Sequence, residues 1–141
     1  MTLSAEDRAL IEERFARYMW AIDTGDIETL VGCFSADGAL HSPIVGSFSG
    51  HEAIRKFARR FAALPQQGIQ LRHLISNLVI DPDGDDAANV KCYLVVYVTQ
   101  DGSSRLLAPG RYECRLRKEA GRWVFTDRLV TMDHEYTIEG I

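Results

Sequence analysis

The sequence predicts an α+β domain in which three N-terminal helices pack on a curved, mostly antiparallel sheet. Three observations carry this. Helical periodicity and helix caps occupy the chain up to about Pro65. Alternating segments rich in β-branched and aromatic residues occupy the rest, separated by turn residues. The length of 141 residues, 46% of them hydrophobic and 26% charged, suits one domain over 1–141 with a real core.

The first helix is expected from Ser4 to Thr24. Ser4 and Asp7 form a capping pattern, and Leu10, Ile11, Phe15, Tyr18, Met19 and Ile22 fall on one face. Gly25 ends it as a left-handed residue, and Asp26 caps the second helix, DIETLVGCF. SADGALHSPIVGSFSG, residues 35–50, reads as turn, short strand and loop. The third helix is expected to start at a capping box, SGHE, Ser49 to Glu52, which would leave His51 exposed. It then runs through IRKFARRFAAL to Pro65.

QLRHLISNLVID alternates and stops at the turn DPDGDD. ANVKCYLVVYVTQ ends at DGSS, and Tyr93 and Tyr97 share one of its faces. RLLAPGRYECRLRKE is interrupted at Pro109-Gly110, which predicts a bulge or bend there. KEAGR closes a hairpin to the last strand, WVFTDRLVTMD. A curved sheet under helices forms a cone with a mouth, a common place for a small-molecule pocket.

Composition excludes several functions. There are 20 acidic and 16 basic residues, giving net charge −4, and the basic residues are scattered; nucleic-acid binding is not expected. Cys33, Cys92 and Cys114 are odd in number and far apart, which argues against a disulfide framework and for small buried hydrophobes. The N-terminus MTLSAEDRAL lacks an apolar run, so no membrane segment is expected and a cytoplasmic location is the default. HExxH, His-x-His, GxSxG and P-loop patterns are absent, so neither a metal nor serine or nucleotide hydrolysis is expected.

One residue resists a folding explanation. In RYMWAIDTGD, Asp26 caps a helix, but Asp23 puts a carboxylate at the negative end of the preceding one, where it is unfavourable.

The order of elements, together with RYMWAIDTGDIETLVGCFSADG, GSFSGHEAIRKF, RHLISN and GRYECRLRKEAGRWVF, resembles the SnoaL-like family, of the superfamily with the nuclear transport factor 2 (NTF2) fold. The resemblance spans nearly the whole chain and is specific for fold rather than activity. The superfamily holds ketosteroid isomerases, scytalone dehydratase, a hexachlorocyclohexane dehydrochlorinase, polyketide cyclases, small subunits of ring-hydroxylating dioxygenases and binding modules.

Set against the isomerases, Tyr18 matches a helix-one tyrosine that donates a hydrogen bond to a developing oxyanion. The position of the isomerase base, before the proline of LHSPIVG, is Ser42, which cannot serve as that base. The third isomerase position falls on Arg111 or, if Gly110 is a bulge, on Tyr112. The latter keeps Tyr112, Cys114 and Leu116 on one apolar face, and neither choice is a carboxylic acid.

Set against scytalone dehydratase and the dehydrochlorinase, Asp23 matches an aspartate that orients a histidine base, and His73 matches that histidine. A histidine is suited to proton transfer near neutrality. The resemblance therefore implies a cofactor-independent lyase on a small hydrophobic cyclic substrate, with His73 as base, Asp23 as its partner and Tyr18 as a donor to a substrate oxygen. Polyketide cyclisation or isomerisation at the same pocket, or a non-catalytic ligand-binding module or small subunit of a ring-hydroxylating dioxygenase, are the alternatives. Strand parity would put Leu71, Ile75 and Asn77 on the His73 side, making Asn77 a candidate ligand contact. Ser42, Tyr112 and Arg128 complete the candidate substrate-binding set; of His41 and Ser42, only one can face inward. His134 is expected in a solvated tail. The family further implies a homodimer or homotrimer.

Overall fold

In the computed structural model, which describes residues 3–138, Ser4 caps the first helix, α1 (Ala5–Thr24), by accepting the Asp7 main-chain N–H at 3.0 Å. α1 buries Ile11, Phe15, Tyr18, Met19, Ala21, Ile22 and Asp23. Leu10, expected on this face, stays exposed because its direction falls beyond the edge of the stripe. Gly25 ends the helix at φ 76°, and a Cβ there would lie 3.3 Å from Ala62. Glycine thus meets two demands, a left-handed backbone and a close helix crossing.

Asp26 caps α2 (Ile27–Gly32), accepting the Thr29 main-chain N–H at 3.2 Å. α3 (His51–Ala62) starts differently from the expected capping box. Ser49 ends a strand, Gly50 precedes the helix, and no side chain caps it. His51 is half-buried and reaches back to the Phe34 carbonyl at 2.9 Å, so it ties α3 to the first strand rather than facing solvent. A short 3-10 turn, Pro65–Gln67, follows.

Among the described residues there are six strands, β1 (Phe34–Ser42), β2 (Gly46–Ser49), β3 (Gln70–Pro82), β4 (Ala87–Gln100), β5 (Ser103–Glu119) and β6 (Arg122–Met132). The 35–50 segment is thus a hairpin, with more strand than its turn residues suggest. The strand order is β2-β1-β6-β5-β4-β3, antiparallel except where β1 runs parallel to β6. This is the NTF2-like α+β cone.

Bulges curl the sheet and reset which side chains face in. In β3 the register shifts between Ser76 and Val79, with Asn77 at φ 60°. Asn77 is therefore exposed, against the parity expectation, whereas Leu71 is buried and Ile75 packs against the core. In β6 the shift at Thr126 lets both Phe125 and Arg128 turn inward. The bulge expected at Gly110 lies instead near Leu107, opposite Val96 and Tyr97. Gly110 stays in register, and its missing side chain admits β6: a Cβ there would be 2.4 Å from the Thr131 carbonyl oxygen. Tyr112, Cys114 and Leu116 still share the buried face.

The core lies between α1, α3 and this inner face, where Phe15, Tyr18, Phe34 and Phe125 form a cluster of edge-to-face and tilted rings with centres 5.1–6.0 Å apart. All three cysteines are buried and unpaired. No described helix is long and apolar enough to cross a membrane.

Candidate active site

The last turn of α1 and the start of β3 meet at Asp23. The Gln70 side-chain amide donates to the Asp23 main-chain carbonyl at 2.9 Å and fixes the helix end against the strand. Three residues on, the His73 ring Nδ1 lies 2.6 Å from Asp23 Oδ1, and the His73 main-chain N–H donates to Oδ2 at 2.9 Å. Asp23 is 8% exposed and the His73 side chain 6%. A carboxylate only accepts, so Nδ1 carries a proton and, in the neutral ring, the lone pair is on Nε2. This is the misplaced carboxylate of RYMWAIDTGD; its unfavourable position at a helix end is offset by two short hydrogen bonds.

His73 reaches an internal cavity of about 30 Å³. Tyr18, Ser42, Tyr112 and Tyr136 give it polar groups, and Leu40, Phe57, Phe61, Leu94, Val96 and Val130 make it apolar. Phe61 sets its ring edge-on to the imidazole at 6.3 Å and limits how far it can swing. The volume holds about two waters. A cyclic substrate therefore requires a wall to move. The irregular segment carrying Tyr136 and the turn after Ser42 flank the mouth. Behind the dyad, Asp23 and His73 also border an outer groove of about 280 Å³ with Met19, Trp20, Arg72 and Leu74. His73 thus borders both this groove and the cavity.

The other expected residues divide. Tyr18 and Tyr112 are buried and line the cavity. Burial pushes Tyr18 up to about 12, against the pull of nearby Arg128, and raises Tyr112 still further for the same reason. Both are neutral hydrogen-bond donors at ordinary pH. Ser42 lines the cavity, and its Oγ also accepts from the Ile44 and Val45 N–H groups, holding the turn. Its neighbour His41 faces the other way, toward Ser47 at 3.0 Å and Asp127 at 3.1 Å. Asn77 lies outside the site.

Arg128 is fully buried but does not form the cavity wall. Its guanidinium packs against the two tyrosine rings that do, 3.9 Å from the centre of Tyr18 and 3.8 Å from that of Tyr112. His134 is exposed, while Tyr136, two residues on, closes the cavity. Nothing in the aperiodic tail announces that role. Nor does the sequence signal Gln70, which acts through a main-chain carbonyl.

The sequence matches the SnoaL-like domain over residues 3–129. The chain belongs to the SnoaL-like family. A protein of unknown function from Mycobacterium tuberculosis is similar at 29% identity and a TM-score of 0.83, over 94% of this chain and 79% of that one. A Catenulispora acidiphila protein, solved in complex with S-DNPA, is similar at 28% identity and a TM-score of 0.80, over 92% of this SnoaL-like chain and 96% of that one. A candidate scytalone dehydratase from Novosphingobium aromaticivorans shares the fold at 21% identity and a TM-score of 0.81, over 95% and 90% of the two chains. No curated protein matches this sequence.

Proposed function

We propose that this SnoaL-like protein is a cofactor-independent lyase that removes water from a small hydrophobic cyclic substrate. The observation that carries the reading is the 2.6 Å contact between His73 Nδ1 and Asp23, in a histidine that borders an apolar cavity. His73 Nε2 takes a proton from carbon, and Asp23 stabilises the imidazolium. The C–H electron pair forms the new double bond as the C–O bond breaks, and the departing hydroxyl leaves as water with that proton. No electrons are gained or lost overall. Tyr18, a neutral phenol, donates to a substrate oxygen, while Ser42 and Tyr112 contact the ring. A bound ligand is consistent with the Catenulispora relative, which has been solved in complex with S-DNPA.

The same base could move a proton without elimination, giving isomerisation or ring closure, and product mass separates these outcomes. On the outer sheet face Leu74, Val79, Tyr93, Tyr97, Leu106 and Leu129 are exposed, an apolar surface that a second or third copy of the chain would cover.

The test is His73→Ala, assayed on cyclic hydroxy compounds by loss of the mass of water. Turnover should vanish while the thermal midpoint stays near that of the parent. Full activity in this variant would sink the mechanism.

A further inference from the structure

Arg128 is the most anomalous side chain in the molecule. Its exposure is 0%, and its guanidinium contacts the faces of Tyr18, Tyr112 and Phe125, the last at 4.4 Å, with Phe15 at 5.2 Å. Its one hydrogen bond among the described residues is from Nη1 to the Cys114 sulfur at 3.5 Å. Burial pushes that thiol up to about 12, so it is neutral and supplies no counter-charge. Nε and Nη2 have no partner among the described residues, which leaves one N–H on the first and two on the second.

A buried charge without a counter-ion is costly, and well-packed apolar residues often serve stability better. Cation–π contacts return only part of that cost. Packing therefore does not account for an arginine here. What distinguishes the position is what two of those rings line. Tyr18 and Tyr112 line the cavity and Arg128 does not, so a fixed positive charge sits 3.9 and 3.8 Å from the centres of two phenol rings that do.

We propose that Arg128 is the counter-charge for a delocalised oxyanion, an enolate or phenolate oxygen seated at the Tyr18 and Tyr112 hydroxyls. It is a positioning residue acting through the two rings. The cation draws electron density from both faces and makes the O–H groups stronger donors, an effect enlarged by the low local dielectric. The apolar walls disfavour a hard, strongly hydrated anion and accept a delocalised one. This deepens the reading above and, for the enolate, rests on it. When a C–H bond next to a carbonyl breaks, its proton goes to His73 Nε2. Its electron pair is held on the carbonyl oxygen, with Arg128 as counter-charge, until it returns to form the double bond and expel the hydroxyl, which leaves as water with the proton from His73. The site therefore takes compounds whose oxygen is, or becomes, anionic.

The test measures binding and needs no turnover. 4-Nitrophenol is titrated into the protein across pH and its phenolate absorbance followed, with nitrobenzene as a neutral isostere. The parent should bind the anion about tenfold or more tighter than the neutral form, lowering the bound phenol's pKa by about one unit. Arg128→Met should lose that preference yet hold nitrobenzene within about twofold of the parent. His73→Ala should keep the preference, because the charge lies in Arg128. If Arg128→Met does not fold, the Tyr18→Phe/Tyr112→Phe double variant decides. It keeps both rings over the guanidinium but removes the donors, and should lose the preference.

The proposal is overturned if the parent favours the neutral form or binds neither form at millimolar concentration. Retention of the preference in Arg128→Met, or in the double variant, also overturns it. So does its loss in His73→Ala, which would place the effect in the dyad. A preference intact alongside full turnover in His73→Ala would instead leave Arg128's role standing and remove the base.

Discussion

Asp23 gives both carboxylate oxygens to one residue: Oδ1 faces the His73 ring at 2.6 Å and Oδ2 accepts the His73 main-chain N–H at 2.9 Å. The ring and its own backbone are thereby locked to the end of α1 as a unit. Imidazole orientation depends on helix position and not on strand geometry alone.

The first consequence concerns tautomer. In Asp23→Asn, the amide oxygen can accept the His73 main-chain N–H only by turning its NH₂ toward Nδ1. That moves the ring proton to Nε2 and removes the lone pair from the cavity. Turnover number should fall about 10³-fold or more with KM little changed, by analogy with triad aspartates. Nitrogen NMR of the His73 ring reads the tautomer directly; an unchanged ring with unchanged activity would refute the orienting role.

Alkaline stability follows from Tyr18. Its folded value of about 12 lies above the ordinary 10.0 because burial disfavours phenolate. The folded state thus holds this proton more tightly than the unfolded chain. The associated stability is complete below pH 10 and is lost as pH rises from 10 toward 12. Tyr18→Phe should shift the alkaline unfolding midpoint, followed by circular dichroism, to higher pH. No shift would mean that Tyr18 is hydrated in the folded state.

Gly110 sets the contact between β5 and β6. A Cβ placed 2.4 Å from the Thr131 oxygen must push the strands apart. Gly110→Ala should cost about 2–3 kcal/mol in urea unfolding, in the range of overpacked cores. It should also disturb Tyr112, two residues along on the same face. Parent-like stability would show that β6 yields freely at this point.

Access to the cavity should depend on Tyr136. It lines a space of only about 30 Å³ and comes from a segment without regular structure. Tyr136→Ala should raise the association rate of nitrobenzene several-fold in stopped-flow experiments, with a smaller effect on the thermal midpoint than a core truncation. An unchanged rate would place the gate elsewhere, at the turn after Ser42.

Much of this protein is determined locally. The spacing of Ile11, Phe15, Tyr18 and Ile22, the Ser4 and Asp26 caps and the Gly25 stop are enough for α1 and α2, because helix periodicity and capping act within a few residues. Alternation in 88–100 and 110–116 likewise places Leu94, Val96 and Tyr112 inward. The pairing of Asp23 with His73 was legible too, from an awkward carboxylate and a family likeness.

Only the tertiary structure decided the rest, chiefly because strand parity has period two and one inserted residue inverts it. The shift after Ser76 carried Asn77 out of the site, and the shift at Thr126 carried Arg128 into the core. Nothing in the composition of either segment marks where the insertion falls, because register is chosen by the neighbouring strand. The cage around Arg128 draws on α1, β5 and β6 at once. The volume beside His73 depends on side chains from α1, α3, five strands and the C-terminal segment. Packing among distant residues fixes both, and no single stretch of chain encodes either.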